Sequence, residues 1–306
     1  MKKRFVVAGL LLVPLALFGT TFVASPLPAP APFGGSLPSA SPPAEMAAFQ
    51  LPTGVTHRSA AFAYRGGSFF DKRDFAMSAL LVKHPRGDLL IDTGFGRKLD
   101  AHFQTMPLLF RALTSYERAE AAADQLDRKH YDKKRLIGIV LTHAHWDHVS
   151  GIPDFPDTPV WVTAEERRFI EQGGSLTAVM RSFGGVRYKE FAFEGGAYLG
   201  FPKSHDVHGD GSVVIVPAPG HTPGSVIVFL ALPSGKRYAL VGDLVWQREG
   251  ISEREERPWL QRSIADSDAS GVRENLLRMA AIAARFPAIS LLPAHDARAF
   301  AELPRL

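Results

Sequence analysis

The sequence predicts a mixed fold, α/β or α+β, with its chemistry gathered in loops at strand ends. Three observations lead there. Short β-rich apolar runs and helical patterns recur along most of the 306 residues. The two kinds are interspersed, not segregated into halves. A composition of 46% hydrophobic against 22% charged residues is enough for a substantial core.

Taken in order, "SALLVKH" and "DLLIDTG" are two apolar runs split by "PRG", the pattern of a hairpin. "RLIGIVLTH" predicts a buried strand ending in a histidine. "TPVWVTAEERRFIEQGG" predicts a short strand and then a helix, with Thr163 and Glu166 at capping-box spacing and Gly173 closing it. "GSVVIVPAPGH", "SVIVFLAL" and "RYALVGD" predict three more strands. "GVRENLLRMAAIAARF" places Val272, Leu276, Met279 and Ala283 on one helical face, and "AISLLPAH" is a final strand. Together they form one domain over residues 49–306.

Two segments precede it. "MKKR" is a basic start, and Phe5 to Ala24 is an uncharged run of 20 residues. Residues 1–24 therefore read as a secretory signal peptide or as an uncleaved membrane anchor, since such a helix reaches about 30 Å. Both readings imply export, to the periplasm, to the outside, or to the membrane itself. Residues 25–48 are rich in Pro, Ala and Ser and read as an extended linker.

Charge and cysteine usage narrow the function. Lys2, Lys3 and Arg4 carry three of the four net positive charges, leaving 32 basic against 31 acidic residues. That balance gives no single-sign surface for nucleic acid. Zero cysteines exclude a disulfide framework, a cysteine nucleophile and thiolate metal ligands. Any metal must sit on imidazole, carboxylate and water.

"LTHAHWDHVSG" holds such groups. His143 and His145, two apart in a loop, can grip one ion, and Asp147 and His148 can face a second. His221 in "PGHTPG", Asp243 in "LVGDL" and His295 in "LLPAHD" each follow a strand-like run. His57, His84, His102 and His130 read as surface histidines, and His205 and His208 fall in a Gly/Asp turn.

In this order the motifs resemble the metallo-β-lactamase-fold hydrolase superfamily, over about residues 75 to 296. The resemblance implies an αββα sandwich with two divalent metal ions, zinc or alternatively iron, manganese or cobalt. It assigns His143, His145 and His221 to one ion, and Asp147, His148 and His295 to the other, bridged by Asp243. Asp92 of "IDTG" would orient a ligand from behind. The chemistry implied is hydrolysis by a water shared between the metals, with Asp147 or Asp243 carrying the proton.

Within the superfamily, zero cysteines exclude the zinc β-lactamases with a Cys ligand, and Asp243 argues against the His-only type. His145 stands where oxygen-reducing diiron relatives carry Glu. The remaining resemblance is to the lactonase-like branch, which opens N-acyl homoserine lactones or hydrolyses organophosphate triesters. The expected substrate is a lactone or other small uncharged ester. Glyoxalase II-like thioesters and phosphotriesters are the alternatives, and an inactive metal-binding scaffold is the non-enzymatic one. One departure stands out. Trp246 replaces the Tyr that homoserine lactonases place three residues after the bridging Asp, so it is expected to meet substrate. Phe69, Phe70, Phe95 and Trp146 are expected either to line the pocket with it or to pack in the core.

Overall fold

Neighbouring residues on most strands bury their side chains against different partners, and this alternation builds the molecule. The computed structural model describes residues 19–306, so residues 1–18 of the expected export segment lie outside the described residues. Among the described residues, no helix is long and apolar enough to cross a membrane.

The strands are β1 (Ala47–Ser59), β2 (Lys72–Lys83), β3 (Asp88–Ile91), β4 (Glu117–Arg118), β5 (Leu136–Val140), β6 (Val160–Val162), β7 (Tyr188–Glu190), β8 (His205–Asp206), β9 (Val213–Pro217), β10 (Val226–Ala231), β11 (Arg237–Gly242) and β12 (Ile289–Pro293). They form a sheet of order β4-β1-β2-β3-β5-β6-β7 and a second of order β12-β11-β10-β9-β8. Five helices bear on the site: α1 (Leu108–Leu113), α2 (Trp146–Val149), α3 (Ala164–Gln172), α4 (Trp259–Ala265) and α5 (Ala269–Arg285).

Leu80, Val82, Leu89 and Ile91 of the first sheet meet Val213, Ile215, Val226, Val228 and Leu240 of the second. The intervening Ala79, Leu81 and Leu90 point the other way, onto Trp146, Val149 and Ile170 of α2 and α3. On the second sheet Val216, Ile227, Phe229, Ala239 and Val241 pack on Val272, Leu276, Met279 and Ile282 of α5. Period-two strands between helices thus give the αββα sandwich. The apolar stripe of α5 runs through Ile282, and Ala283 beside it is half-buried.

Several local features differ from the sequence reading. β1 is the longest strand at 13 residues, yet its pattern is broken by Pro52 and Gly54, where the register against β2 shifts. His84 and His102 are buried instead of exposed: His84 stacks on His208 with centroids 3.7 Å apart, and His102 Nδ1 lies 3.0 Å from Ser150 Oγ. Residues 25–46 do not stand clear of the domain. Leu27 N donates to Arg254 O at 2.8 Å, Phe33 packs edge-on to Phe286, and Ser41 N donates to Asp210 O at 2.8 Å. An extended chain can bury an occasional apolar side chain without forming a core of its own.

Candidate metal centre

Five strand ends meet at one edge of the two sheets. Asp92 follows β3, His143 to His148 follow β5, His221 follows β9, Asp243 follows β11 and His295 follows β12. The last three strands point the same way, because β10 is antiparallel to β9 and β11 while β12 is parallel to β11. The turn at His221 needs Gly220, whose φ of +147° and contact with the Val272 backbone exclude a side chain.

The side chains form three overlapping trios whose candidate ligand atoms lie within 4.8 Å: His143, His145 and His221; His143, His148 and Asp243; Asp147, His148 and His295. Asp243 connects the two ends. Its Oδ1 is 3.3 Å from His148 Nε2 and 3.2 Å from His295 Nε2, and its Oδ2 is 3.6 Å from His221 Nε2. Asp147 is the most open of the seven, with Oδ2 3.5 Å from His295 Nε2.

These residues fit a divalent ion. His143 Nε2, His148 Nε2 and Asp243 Oδ1 are buried and have no hydrogen-bond partner among the described residues. His221 Nε2 faces His145 Nδ1 at 3.0 Å. A buried polar atom left unpaired costs about 1–3 kcal/mol. Several converging on one point call for a positive occupant, and imidazole with carboxylate is a zinc-type donor set. Burial holds His143 and His145 well below the usual imidazole range, the neutral form a metal requires. At His148 burial pulls the same way, but Asp92, Asp243 and Asp147 outweigh it and raise the ring.

Partners behind the cluster fix each ring. His148 Nδ1 lies 2.8 Å from Asp92 Oδ2, and Asp92 also accepts from Thr142 N at 2.8 Å and Thr142 Oγ1 at 2.7 Å. Asp92 holds a left-handed φ of +52° to do so. His221 Nδ1 lies 2.8 Å from Asp266 Oδ1, which the Arg257 guanidinium also engages. Arg257 further donates to Leu244 O at 3.2 Å. His295 Nδ1 lies 2.9 Å from Ala76 O. Such contacts set tautomer and ring direction before any ligand arrives.

Asp266 and Arg257 carry no signal in the sequence reading, and Glu166 reads there only as a capping-box residue. Glu166 N donates to Thr163 Oγ1 at 3.1 Å, so half of the capping box forms. Its carboxylate goes elsewhere: it accepts from Ala144 N and Thr222 Oγ1, each at 2.6 Å, and from Gly224 N at 3.1 Å. It therefore ties the His143–His145 loop to the His221 loop. Burial pushes its carboxyl up to about 7 against those hydrogen bonds. Asp266 and Arg257 lie in charged stretches, "ADSD" and "EREERP", that look like solvated turns in sequence.

Trp246 lies beside the cluster in an unexpected way. Its indole Nε1 donates to Asp243 Oδ2 at 2.9 Å, and its ring packs edge-on to Phe75. Of the four other aromatics, Phe95 and Trp146 are buried in the core under the helices, while Phe69 and Phe70 are exposed.

An αββα sandwich with a buried His/Asp cluster at the sheet edge is the architecture of a metal-dependent hydrolase. The chain belongs to the metallo-β-lactamase superfamily, whose family model matches residues 73–293. A probable metallo-hydrolase of Mycobacterium tuberculosis is 32% identical over 230 residues, 71% of this chain and 73% of that protein. The N-acyl homoserine lactonase AttM of Agrobacterium fabrum is 25% identical over 193 residues, 57% of this chain and 66% of that protein. Among solved structures, an N-acyl homoserine lactone hydrolase with N-hexanoyl-L-homoserine at its catalytic metal centre superposes with a TM-score of 0.68 at 17% identity, covering 85% of this chain and 96% of that chain. The dizinc quorum-quenching lactonase AidC gives 0.55 at 17% identity, covering 85% and 90%.

Proposed function

We propose that this metallo-hydrolase carries two divalent ions and opens lactones or other small uncharged esters outside the cytoplasm. The observation that carries the reading is Asp243, within 3.6 Å of imidazole nitrogens in both halves of the cluster. When bound, divalent ions supply Lewis-acid polarisation of the ester carbonyl and acidify a water for attack.

The chain's own residues do the rest. His143, His145 and His221 would hold one ion, and Asp147, His148 and His295 the other. Asp92 and Asp266 keep His148 and His221 turned toward the cluster. In hydrolysis the water oxygen joins the acyl carbon, the acyl–oxygen bond breaks, and the water's proton reaches the leaving oxygen. In this reading Asp147, the more open of the two carboxylates, or Asp243 carries that proton. Arg257 is occupied by Asp266 and by main-chain carbonyls, so it offers no free cation for an anionic substrate. That supports an uncharged ester over a glutathione thioester. The lactonase AttM supports the same choice of substrate, and the dizinc lactonase AidC the choice of metal, by analogy.

Metal-replete protein assayed on N-acyl homoserine lactones, aryl esters, thioesters and phosphotriesters should show its highest kcat/KM on a lactone. A thioester or phosphotriester ranking first would replace this reading. For export, N-terminal sequencing of protein recovered from cells distinguishes a removed segment 1–24 from a retained one.

Trp246→Phe removes the donor to Asp243 while keeping an aromatic wall. A hydrogen bond to a charged group is worth about 1.5–3 kcal/mol, so kcat/KM should fall about 10- to 100-fold. Unchanged steady-state kinetics would separate the indole from the chemistry.

A further inference from the structure

The apolar side chains that the folded domain leaves in solvent are concentrated beside the candidate site. Residues 20–25 cross a face made by the β1–β2 connection and α4. Gly66 N donates to Phe22 O at 2.8 Å, Arg65 Nε to Val23 O at 2.9 Å, and Leu260 N to Thr21 Oγ1 at 3.3 Å. The Phe22 ring meets Phe69 and Phe62 with centroids 4.9 and 5.6 Å apart.

Around this crossing, Val23, Phe69, Phe70, Trp259 and Ile264 are exposed, Phe70 at 94%. Exposed apolar side chains also occur on α1, close to the same end of β1. Ser59 Oγ donates to Phe69 O, and Arg58 Nη2 reaches Thr114 Oγ1 just past the helix end. There Leu108, Leu109 and Leu113 are also exposed. A cluster of exposed apolar side chains of this kind marks an interaction site.

The face borders the catalytic edge. Ala60, Ala63 and Tyr64 pack with Phe75 and Trp246, and α4 leads directly to Asp266, the partner of His221. It is also where residues 19–24, the described end of the uncharged run that the sequence extends back to residue 5, meet the domain.

We propose that this face docks on a phospholipid bilayer, with the site opening beside the lipid surface. An apolar run arriving at an apolar patch with a half-exposed Trp favours lipid over a protein partner, because aromatic side chains settle at the membrane interface. The docking is independent of which ester the site hydrolyses.

The chain has no cysteine, so one label can be placed at will. Phe70→Cys carrying bimane is compared with Leu37→Cys carrying it, in the full chain mixed with phosphatidylcholine vesicles containing brominated acyl chains. Leu37 lies on the stretch whose Ser39 and Ala40 rest against Gly211, in the loop leading into β9 of the second sheet. Both positions are exposed, at 94% and 38%, so labelling leaves the fold intact. At position 70 the emission should shift to the blue and be quenched several-fold more than at 37. Three results overturn the proposal: no binding to vesicles; binding with position 70 still in water, meaning residues 5–24 act alone; or a blue label at 70 without vesicles, meaning the chain or a second copy covers the face.

Discussion

Asp243→Ala is expected to remove nearly all turnover and to lower the metal content of the protein. The carboxylate is the only side chain in the cluster that lies against His148, His295 and His221 together. Burial would raise its carboxyl, but His295 and His148 outweigh burial and hold it well below the usual carboxylate range. Alanine leaves those imidazoles facing an unfilled gap with no anion between them. A loss of roughly 10³-fold in kcat is expected, the scale for removing one preorganised electrostatic group. Elemental analysis should show the metal content falling with it. Full occupancy in the variant would remove Asp243 from the ligand set and collapse the two-metal reading.

Glu166→Leu has the second largest expected effect, although Glu166 touches no candidate ligand side chain. It leaves the Ala144 and Gly224 N–H groups without their acceptor inside the protein and deprives the Thr222 hydroxyl of one of its two partners, the other being Ser225 Oγ. Unpaired buried groups cost about 1–3 kcal/mol each, so Tm should drop on the order of 10 °C. Loosened tethering of the His143–His145 and His221 loops should weaken the first metal about 10- to 100-fold, as for other outer partners. The Asp147–His148–His295 side should keep its affinity. Glu166→Gln retains an acceptor for Ala144 N and should recover part of both losses. Equal weakening of both metals in a cobalt titration would reduce Glu166 to a general stabiliser.

The contrast between these residues shows what the sequence makes legible. His143, His221, Asp243 and His295 each follow a run of Val, Ile and Leu, so their placement at strand ends follows from local pattern. The sandwich strands were readable for the same reason. β1 was not, because Pro52 and Gly54 break the alternation that the register shift against β2 accommodates. Glu166 reads as a capping-box residue of its own helix, and its three carboxylate partners, 22 to 58 residues away, become neighbours only through the fold. Asp266 and Arg257 resemble ordinary surface charges until burial reveals their work.

The fastened linker has a mechanical consequence. Left free, residues 25–46 would be a leash of roughly 70 Å in polyproline form. Held at Leu27, Phe33 and Ser41, they have no slack. Anything joined to the chain ahead of residue 19 would then stay close to the domain, where a loose leash would let the two drift apart.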